Sequence, residues 1–307
     1  MNYQMNENEE QTNLKDLLES VLQRKLFIII ITSLFALSSV SFALWLPNIY
    51  ISKSTLAPSS SDDSLSSKLG GVSALAGMAG IALPSEGQNK SVEAVERIES
   101  YDFFVNEFLP FIKLEDLIAA KNWDPASNKI IYDKKLFNDK ENKWVRKEEF
   151  PRTSIPSNQE AHEFYREILQ VSEDKKTSFI SISIEHVSPH IAQRWVELII
   201  FKINSHMKEL DKELAQNSIN FLEESYKKTN LSEIKDVISS LLANQLQTLM
   251  LAESSEDYVF KPISSPLAPE EKSKPNRLLI CIFGTLFGFM LAVFFAVSSY
   301  VTRTIRS

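Results

Sequence analysis

The sequence predicts an α+β membrane protein, in which two terminal transmembrane helices flank one α/β domain with a very long helix. Two runs, 26–46 and 278–301, contain no Asp, Glu, Lys, Arg or His. Each run reaches the roughly 20 residues that a helix needs to cross the apolar core of a bilayer. The segment 47–277 between them is rich in charge and long enough to build a core of its own.

Basic residues predict the orientation of the chain in the membrane. Arg24 and Lys25 precede the first apolar run and only Lys53 follows it closely, which favours a cytoplasmic N-terminus. Ser41 and Ala43 allow a cleaved signal peptide as the alternative, although the run exceeds the usual 7 to 15 or so apolar residues of such a signal. The predicted order is a cytoplasmic tail at 1–25, a membrane helix at 26–46, an extracytoplasmic domain at 47–277, a second membrane helix at 278–301 and a cytoplasmic tail at 302–307.

Composition and motifs exclude several classes of function. The net charge of −7 argues against nucleic-acid binding, which requires a concentrated basic surface. Cys281, the only cysteine, lies in the second apolar run, so the outer domain has no disulfide. His186 and His190 flank a predicted strand-to-helix junction and need not share a face, so we predict no metal site there. We expect no catalytic site and no cofactor.

The first half of the outer domain mixes strands, a helix and loops. Tyr50–Pro58 is rich in β-branched and aromatic residues, which predicts a strand. Ser91 is the predicted N-cap of an amphipathic helix that ends near Pro110. The segment 123–156 is densely charged with mixed sign, which predicts loops and short elements.

A strand and a very long helix are predicted next. Ile180, Ile182 and Ile184 alternate with polar residues, which is typical of a half-buried strand. From Ser188 as N-cap, the segment 189–254 contains no Pro or Gly after its first residue. An unbroken helix of this length would extend on the order of 100 Å. Two helices within one subunit, with a break at Thr229 and Asn230, are the alternative.

The long helix carries apolar residues at coiled-coil spacing. They recur at intervals of four, three and four residues, which favours a contact between subunits. The predicted oligomer-facing residues are Ile203, Met207, Leu210 and Leu214.

Two further segments have structural signatures. The segment 257–263 reads as a short strand, and prolines then predict a stiff, extended connector at 262–275. Those prolines are Pro262, Pro266, Pro269 and Pro275. Within the second membrane helix, Gly284 and Gly288 form a G-x-x-x-G pattern, which favours close packing against the first helix or another membrane protein.

Most of the chain's glycine lies in the segment 68–87, which includes Gly70, Gly71, Gly77 and Gly80. Its apolar part, 72–83, is too short to span a membrane. No phosphate-binding G-x-x-x-x-G-K pattern occurs there. We interpret the segment as a mobile, weakly apolar loop that faces neighbouring subunits or a glycan-lipid, with a linker that makes no contacts as the alternative.

Taken in order, these parts resemble the bacterial polysaccharide chain-length determinant (Wzz) family, also called polysaccharide co-polymerases. The resemblance covers essentially the whole chain and depends on the stretches LGGVSALAGMAGIALP, SPHIAQRWVELIIFKINSHMKELDKELAQNSINFLEES and SPLAPEEKSKPNRLLI, the last leading into the second membrane helix. The EEKSK between Pro269 and Pro275 departs from the usual family spacing. The short tail at 302–307 leaves no room for a cytoplasmic kinase, so the resemblance is to the O-antigen type.

The resemblance implies a function and partners. Such proteins are homo-oligomers of the bacterial inner membrane with a periplasmic main domain. They set the modal chain length of a lipid-linked polysaccharide, the O-antigen of lipopolysaccharide, and perform no bond chemistry themselves. The implied partners are a separate membrane polymerase and the glycan-lipid. The alternative function is a two-helix membrane receptor for a periplasmic ligand, and an extracytoplasmic hydrolase is a weaker third candidate.

Overall fold

The computed structural model describes residues 24–59 and 86–304, which belong to two compact units. One unit combines Met1–Asn48 with Ser273–Ser307, and the other is Ile49–Lys272. The predicted loop with Gly70, Gly71, Gly77 and Gly80 lies outside the described residues.

Eight helices and eight strands are described within these ranges. The helices are α1 Lys25–Trp45, α2 Glu86–Glu99, α3 Tyr101–Phe103, α4 Leu114–Ile118, α5 Asn158–Ile168, α6 Pro189–Lys228, α7 Ser232–Ser254 and α8 Arg277–Thr304. The strands are β1 Tyr50–Pro58, β2 Ala120–Asp124, β3 Lys129–Tyr132, β4 Phe137–Asn138, β5 Lys143–Trp144, β6 Leu169–Glu173, β7 Ile180–His186 and β8 Phe260–Ser264.

Helices α1 and α8 form the first unit, and both are long and apolar enough to cross a membrane. Their bounds agree with the two apolar runs to within a few residues. Because a bilayer offers no hydrogen-bond partners, a helix that satisfies its own backbone is the form such a run takes in lipid.

A four-stranded antiparallel sheet in the order β6-β7-β1-β8 organises the second unit. Strand β1 has the predicted bounds, and Tyr50 pairs with His186 at its beginning. The predicted alternation in β7 is confirmed, because Ile180, Ile182 and Ile184 are buried. These three side chains join the core, to which the first half of α6 contributes Val196, Ile199 and Ile203.

The helix predicted from Ser91 begins earlier and is interrupted. Helix α2 starts at Glu86, so Ser91 is a buried residue inside it. Ser100 ends it and begins α3, because its hydroxyl accepts a hydrogen bond from the backbone N–H of Phe103. A wider π-helical turn, Phe104–Phe108, then places two phenylalanine rings about 5 Å from the Tyr165 ring.

The long segment 189–254 is two helices, so the single unbroken helix is wrong and the two-helix alternative is confirmed. Helix α6 begins at Pro189 as predicted and ends where Thr229 adopts extended backbone. Helix α7 returns alongside α6, as the 2.7 Å ion pair between Lys212 and Glu253 shows. Thr and Asn are weak helix formers, and the return of α7 buries Ala215 and Ile219 of α6.

The charged segment 123–156 contains short elements, as predicted. Strands β2 and β3 form one hairpin, and β4 and β5 form another. Phe137 of β4 is buried between the rings of Tyr132 and Trp144.

The proline-rich segment begins inside the sheet. Pro262 belongs to β8 and pairs with Leu56, so its assignment to the connector is wrong. Strand β8 lies at the sheet edge, where the missing N–H of a proline is tolerated. Residues 265–276, including Pro266, Pro269 and Pro275, form no helix or extended strand.

Candidate functional site

The two glycines of the second membrane helix lie against the first helix. A Cβ atom added at Gly284 would overlap the Cβ of Ser39, and one added at Gly288 would overlap the Cβ of Phe35. Small residues let helix backbones approach closely in the absence of a hydrophobic driving force. The sequence left two packing partners open for these glycines. In the structure they pack against the first helix.

Apolar and polar contacts complete this helix pair. Ile28 packs with Ala292 and Ala296 in a small buried cluster. Where α1 ends and α8 begins, the guanidinium of Arg277 donates to the side-chain oxygen of Asn48 at 3.0 Å. The polar contact joins the two chain segments at one end of the pair. Most large apolar side chains elsewhere on both helices are exposed, as expected for surfaces that face lipid.

The predicted oligomer-facing stripe divides along α6. Ile203 and Met207 are buried in the core of their own subunit, so the prediction of an intersubunit contact is wrong for both. Leu210 is partly buried at the edge of that core, whereas Leu214 is 63 % exposed. The stripe first packs on the sheet and then continues beyond it, which explains why one pattern has two environments.

Helices α6 and α7 carry many exposed apolar side chains, here called together the hairpin surface. Its members are exposed apolar side chains of α6 and α7 that follow Met207 in the chain. They are Leu214, Phe221, Leu231, Ile234, Val237, Leu241, Leu246 and Met250. Large exposed apolar areas are uncommon on soluble monomers and mark contacts with proteins or membranes. The sequence indicated a helical stripe in α7 but missed Phe221, because its exposure depends on where α7 packs.

A polar groove of about 580 Å³ lies beside the helices α6 and α7. It is lined by His206, Glu209, Leu210, Lys212, Glu213, Gln216, Leu249 and Glu253. A hydrogen bond from Lys212 lowers the pKa of Glu253, and the same bond raises the pKa of Lys212. Both side chains are solvated, so the pair orients the helices without creating a reactive group.

Buried polar contacts fix the hairpin to the sheet. The Asn204 side-chain oxygen accepts from the N–H groups of Val259 and Phe260 at 2.8 and 2.9 Å, and its amide donates to the Phe260 carbonyl at 2.9 Å. Asn204 is itself buried, so these three bonds satisfy groups that water cannot reach. Position 204 of α6 is therefore held to β8.

A second polar cluster joins α2 to α6. The Asp211 carboxylate accepts from the Tyr258 hydroxyl at 2.6 Å and pairs with the Lys90 ammonium at 2.9 Å. Burial, followed by the bond to Asp211, raises the pKa of Tyr258 to about 12. Burial lowers the pKa of Lys90, but the bonds and charges of Asp211 and Tyr258 outweigh this, so the pKa of Lys90 is raised.

His186 and His190 have separate partners. Nδ1 of His186 accepts from the N–H of Ser188 at 3.0 Å, so Nε2 carries the proton and donates to the Asp116 carbonyl at 2.9 Å. Burial lowers the pKa of His186. The ring of His190 lies against Trp123 instead. Among the described residues, no group of three or more His, Cys, Asp or Glu side chains is arranged to hold a metal ion.

The fold and surfaces define a class: an α+β protein with two apolar terminal helices and an exposed helical hairpin. Residues 10–102 match the family model described as Wzz, chain length determinant protein. The resemblance to this family that the sequence predicts is thereby confirmed over that segment. No curated protein matches the chain in sequence.

Two solved structures are similar to the chain at low sequence identity. A full-length bacterial polysaccharide co-polymerase has 12 % identity and a TM-score of 0.42, with 95 % of this chain and 99 % of that chain covered. A fragment of WzzB, a polysaccharide co-polymerase from Salmonella Typhimurium, has 14 % identity and a TM-score of 0.31, with 74 % and 100 % covered. The similarity to the Wzz family is carried by the sequence-model match over residues 10–102 and not by these two structures.

Proposed function

We propose that this protein is a non-enzymatic, oligomeric regulator that sets the modal chain length of a lipid-linked cell-surface polysaccharide, the O-antigen of lipopolysaccharide. The observation that carries the proposal is the match of residues 10–102 to the chain length determinant family. The matched segment includes the first membrane helix and strand β1, the two elements that join the outer domain to the membrane.

The proposed topology has two membrane crossings and both termini in the cytoplasm. Two terminal helices of sufficient length and hydropathy, together with Arg24 and Lys25 before the first, support it. The unit Ile49–Lys272 is then periplasmic. In this position it meets the glycan-lipid and a polymerase of the inner membrane, which we propose as its partners.

The hairpin surface supports the proposed homo-oligomer. A stretch of exposed leucine, isoleucine, valine, methionine and phenylalanine side chains on two adjacent helices is costly in water. Copies standing side by side would remove it from solvent. Regulation would then act through the width and subunit contacts of the assembly, without a reactive side chain.

Deletion of the gene tests the proposed function. If the protein is the proposed regulator, lipopolysaccharide from the deletion strain should lose its modal banding on a gel while polymer is still made. Loss of all polymer would indicate an enzyme of polysaccharide synthesis. An unchanged ladder would favour the alternative function, a two-helix membrane receptor for a periplasmic ligand. Re-expression of the wild-type chain is the control and should restore the bands.

Substitution of the glycine pair tests whether membrane packing contributes. In Gly284→Leu with Gly288→Leu, the new side chains collide with Ser39 and Phe35, so α1 and α8 must separate. We expect an altered distribution of polymer lengths from a protein that still inserts. The matched control is Leu279→Phe with Ile282→Phe, because both positions are exposed on α8. A wild-type ladder in the glycine variant would contradict this expectation.

A further inference from the structure

The guanidinium of Arg277, at the beginning of α8, has few partners for its charge. Its Nη2 atom donates to the Asn48 side-chain oxygen at 3.0 Å, whereas its Nε atom is buried and has no hydrogen-bond partner. A guanidinium has five N–H donors, and buried donors in folded proteins are almost always paired. The orphaned Nε therefore indicates an acceptor that is not part of the described chain.

No acidic side chain of the helix pair compensates this charge. The segments 24–48 and 273–304, which are the described part of this unit, contain no Asp or Glu but five Lys or Arg residues. Elsewhere in the described chain, too, no carboxylate forms an ion pair with Arg277. Asn48 is neutral, so the positive charge of Arg277 is available to an anion.

The packing of the two helices sets the level of Arg277. Gly284 of α8 lies against Ser39 of α1, and the next glycine, four residues later, lies against the residue four before Ser39. The helices are therefore antiparallel, and each step toward the beginning of α8 is a step toward the end of α1. Arg277 precedes Gly284 by seven residues, so it is level with Leu46, which follows Ser39 by seven residues.

This level has the features of the boundary between membrane and water. Trp45, the last residue of α1, is 79 % exposed, and tryptophan is enriched where a bilayer meets water. The candidate membrane spans Lys25–Trp45 and Arg277–Ser298 also have their ends here. Beyond the apolar core of a bilayer lies the headgroup region, which contains the lipid phosphates. Phosphate groups are therefore the anions nearest to the guanidinium.

The candidate ligand of this anion is the guanidinium and not the end of the helix. The Asn276 side chain accepts from the N–H of Leu279 at 3.3 Å, so the first turn of α8 already has a cap. The bond to Asn48 holds Nη2 against the segment that follows α1. Arg277 as a whole is only partly buried, so it remains in contact with its surroundings.

Phosphate matches a guanidinium in both charge and shape. The planar fork of N–H donors binds two phosphate oxygens in parallel, and such charge-assisted bonds are about twice as strong as neutral ones. Asn48 accepts from a single terminal nitrogen, which leaves donors for these oxygens. A lysine in the same place would supply the charge without the fork.

We propose that Arg277, positioned by Asn48, binds the phosphate group of an anionic membrane lipid where α1 ends and α8 begins. Asn48 is a positioning residue, because it holds Nη2 and has no charge of its own. The proposal rests on the two membrane helices of the proposed function, and it needs no placement of the outer domain. It adds a lipid-binding site to a helix pair that packs mainly through small and apolar residues.

Lipid binding to the full chain in detergent tests the proposal. Native mass spectrometry counts the phosphatidylglycerol molecules bound per chain as this lipid is titrated. We expect the wild-type chain to hold one lipid more tightly than any other, and Arg277→Gln to raise the dissociation constant of that lipid about tenfold. The matched control is Lys272→Gln, which removes the same charge from an exposed residue nearby in the chain. It should leave the dissociation constant unchanged.

Two further variants test the geometry of the site and stay informative if Arg277→Gln does not insert. Arg277→Lys keeps the charge and loses the fork, so it should weaken binding by less than Arg277→Gln. Asn48→Leu keeps the guanidinium but removes the acceptor that holds it, so it should also weaken binding. Glycerol phosphate, which has the phosphate of the headgroup without the lipid chains, should not displace the bound lipid at equal concentration.

Three results would overturn the proposal. Equal losses in Arg277→Gln and Lys272→Gln would show that lipid binding follows net charge alone. Displacement of the lipid by an equal concentration of glycerol phosphate would show that the site takes a soluble phosphate. The absence of any tightly held lipid on the wild-type chain would assign the guanidinium to water or to a carboxylate of a partner. The deletion experiment tests the proposed function separately, so each of these results rejects the lipid site and leaves that function intact.

Discussion

The two halves of α6 both carry apolar residues at helical spacing, but those residues lie in different environments. In the half that follows Pro189, apolar side chains such as Ile199 and Ile203 face the sheet and have no exposed surface. In the half that ends at Lys228, Phe221 is 69 % exposed, and α7 is the helix packed alongside. One helix therefore serves the core of its subunit at one end and offers an apolar surface at the other.

This contrast separates stability from association. An apolar residue contributes to folding only where its own chain removes it from water. The first half of α6 should therefore control the free energy of unfolding, whereas the hairpin surface should control the mass of the assembled particle. Variants that affect one quantity and not the other test this division.

The largest effect is expected for a core truncation in the first half. Ile203→Ala leaves a cavity in a fully buried position and should lower the free energy of unfolding by about 2 to 5 kcal/mol. Urea unfolding of the full chain in detergent, followed by near-ultraviolet circular dichroism, measures it. Leu214→Ala on the exposed half is the matched control and should change stability by less than about 0.5 kcal/mol. Equal losses in both variants would contradict the division.

The next effect concerns the attachment of α6 to β8. Asn204→Leu removes three hydrogen bonds and leaves the N–H groups of Val259 and Phe260 buried without a partner. We expect a loss of about 1 to 3 kcal/mol in the same unfolding experiment. Lys212→Met, which removes a solvated ion pair on the same helix, should give no measurable loss. If Asn204→Leu were as stable as wild type, the buried amide would not hold the hairpin.

A smaller effect should depend on pH through His186, directly before α6. Burial lowers the pKa of His186 in the folded chain, so below its ordinary value of about 6.5 the unfolded chain binds more protons than the folded chain. The stability due to neutral His186 is complete above that pH and is lost as the pH falls toward the folded-state pKa. Urea midpoints at pH 7.5 and 5.5 measure the loss. His186→Gln should reduce the difference between them, and an unchanged difference would assign it to other groups.

The smallest effect on folding is expected at the hairpin surface. Phe221→Ser with Val237→Ser changes two exposed positions and should leave the urea midpoint nearly unchanged. The mass of the detergent-solubilised particle should fall, because the polar side chains weaken a contact between copies. Lys227→Ser with Lys228→Ser, near the end of the same helix, is the control. A full-sized particle from the apolar double variant would remove the hairpin surface from the proposed assembly.

The sequence by itself determined the features that depend on local pattern. Two long runs without charge establish the candidate membrane helices, and the alternation of Ile180, Ile182 and Ile184 establishes a strand with one buried face. The G-x-x-x-G pattern favoured a close helix contact and left its partner open. These inferences succeed because composition and periodicity decide them within a single element.

Only the tertiary structure decided which surfaces meet. It buried Ile203 and exposed Leu214 in one stripe, gave Gly284 the first helix as its neighbour, and moved Pro262 into the sheet. It also placed the guanidinium of Arg277 beside Asn48. Periodicity gives the face of an element, but burial depends on segments far away in the chain, and their packing is not encoded in any local window of sequence.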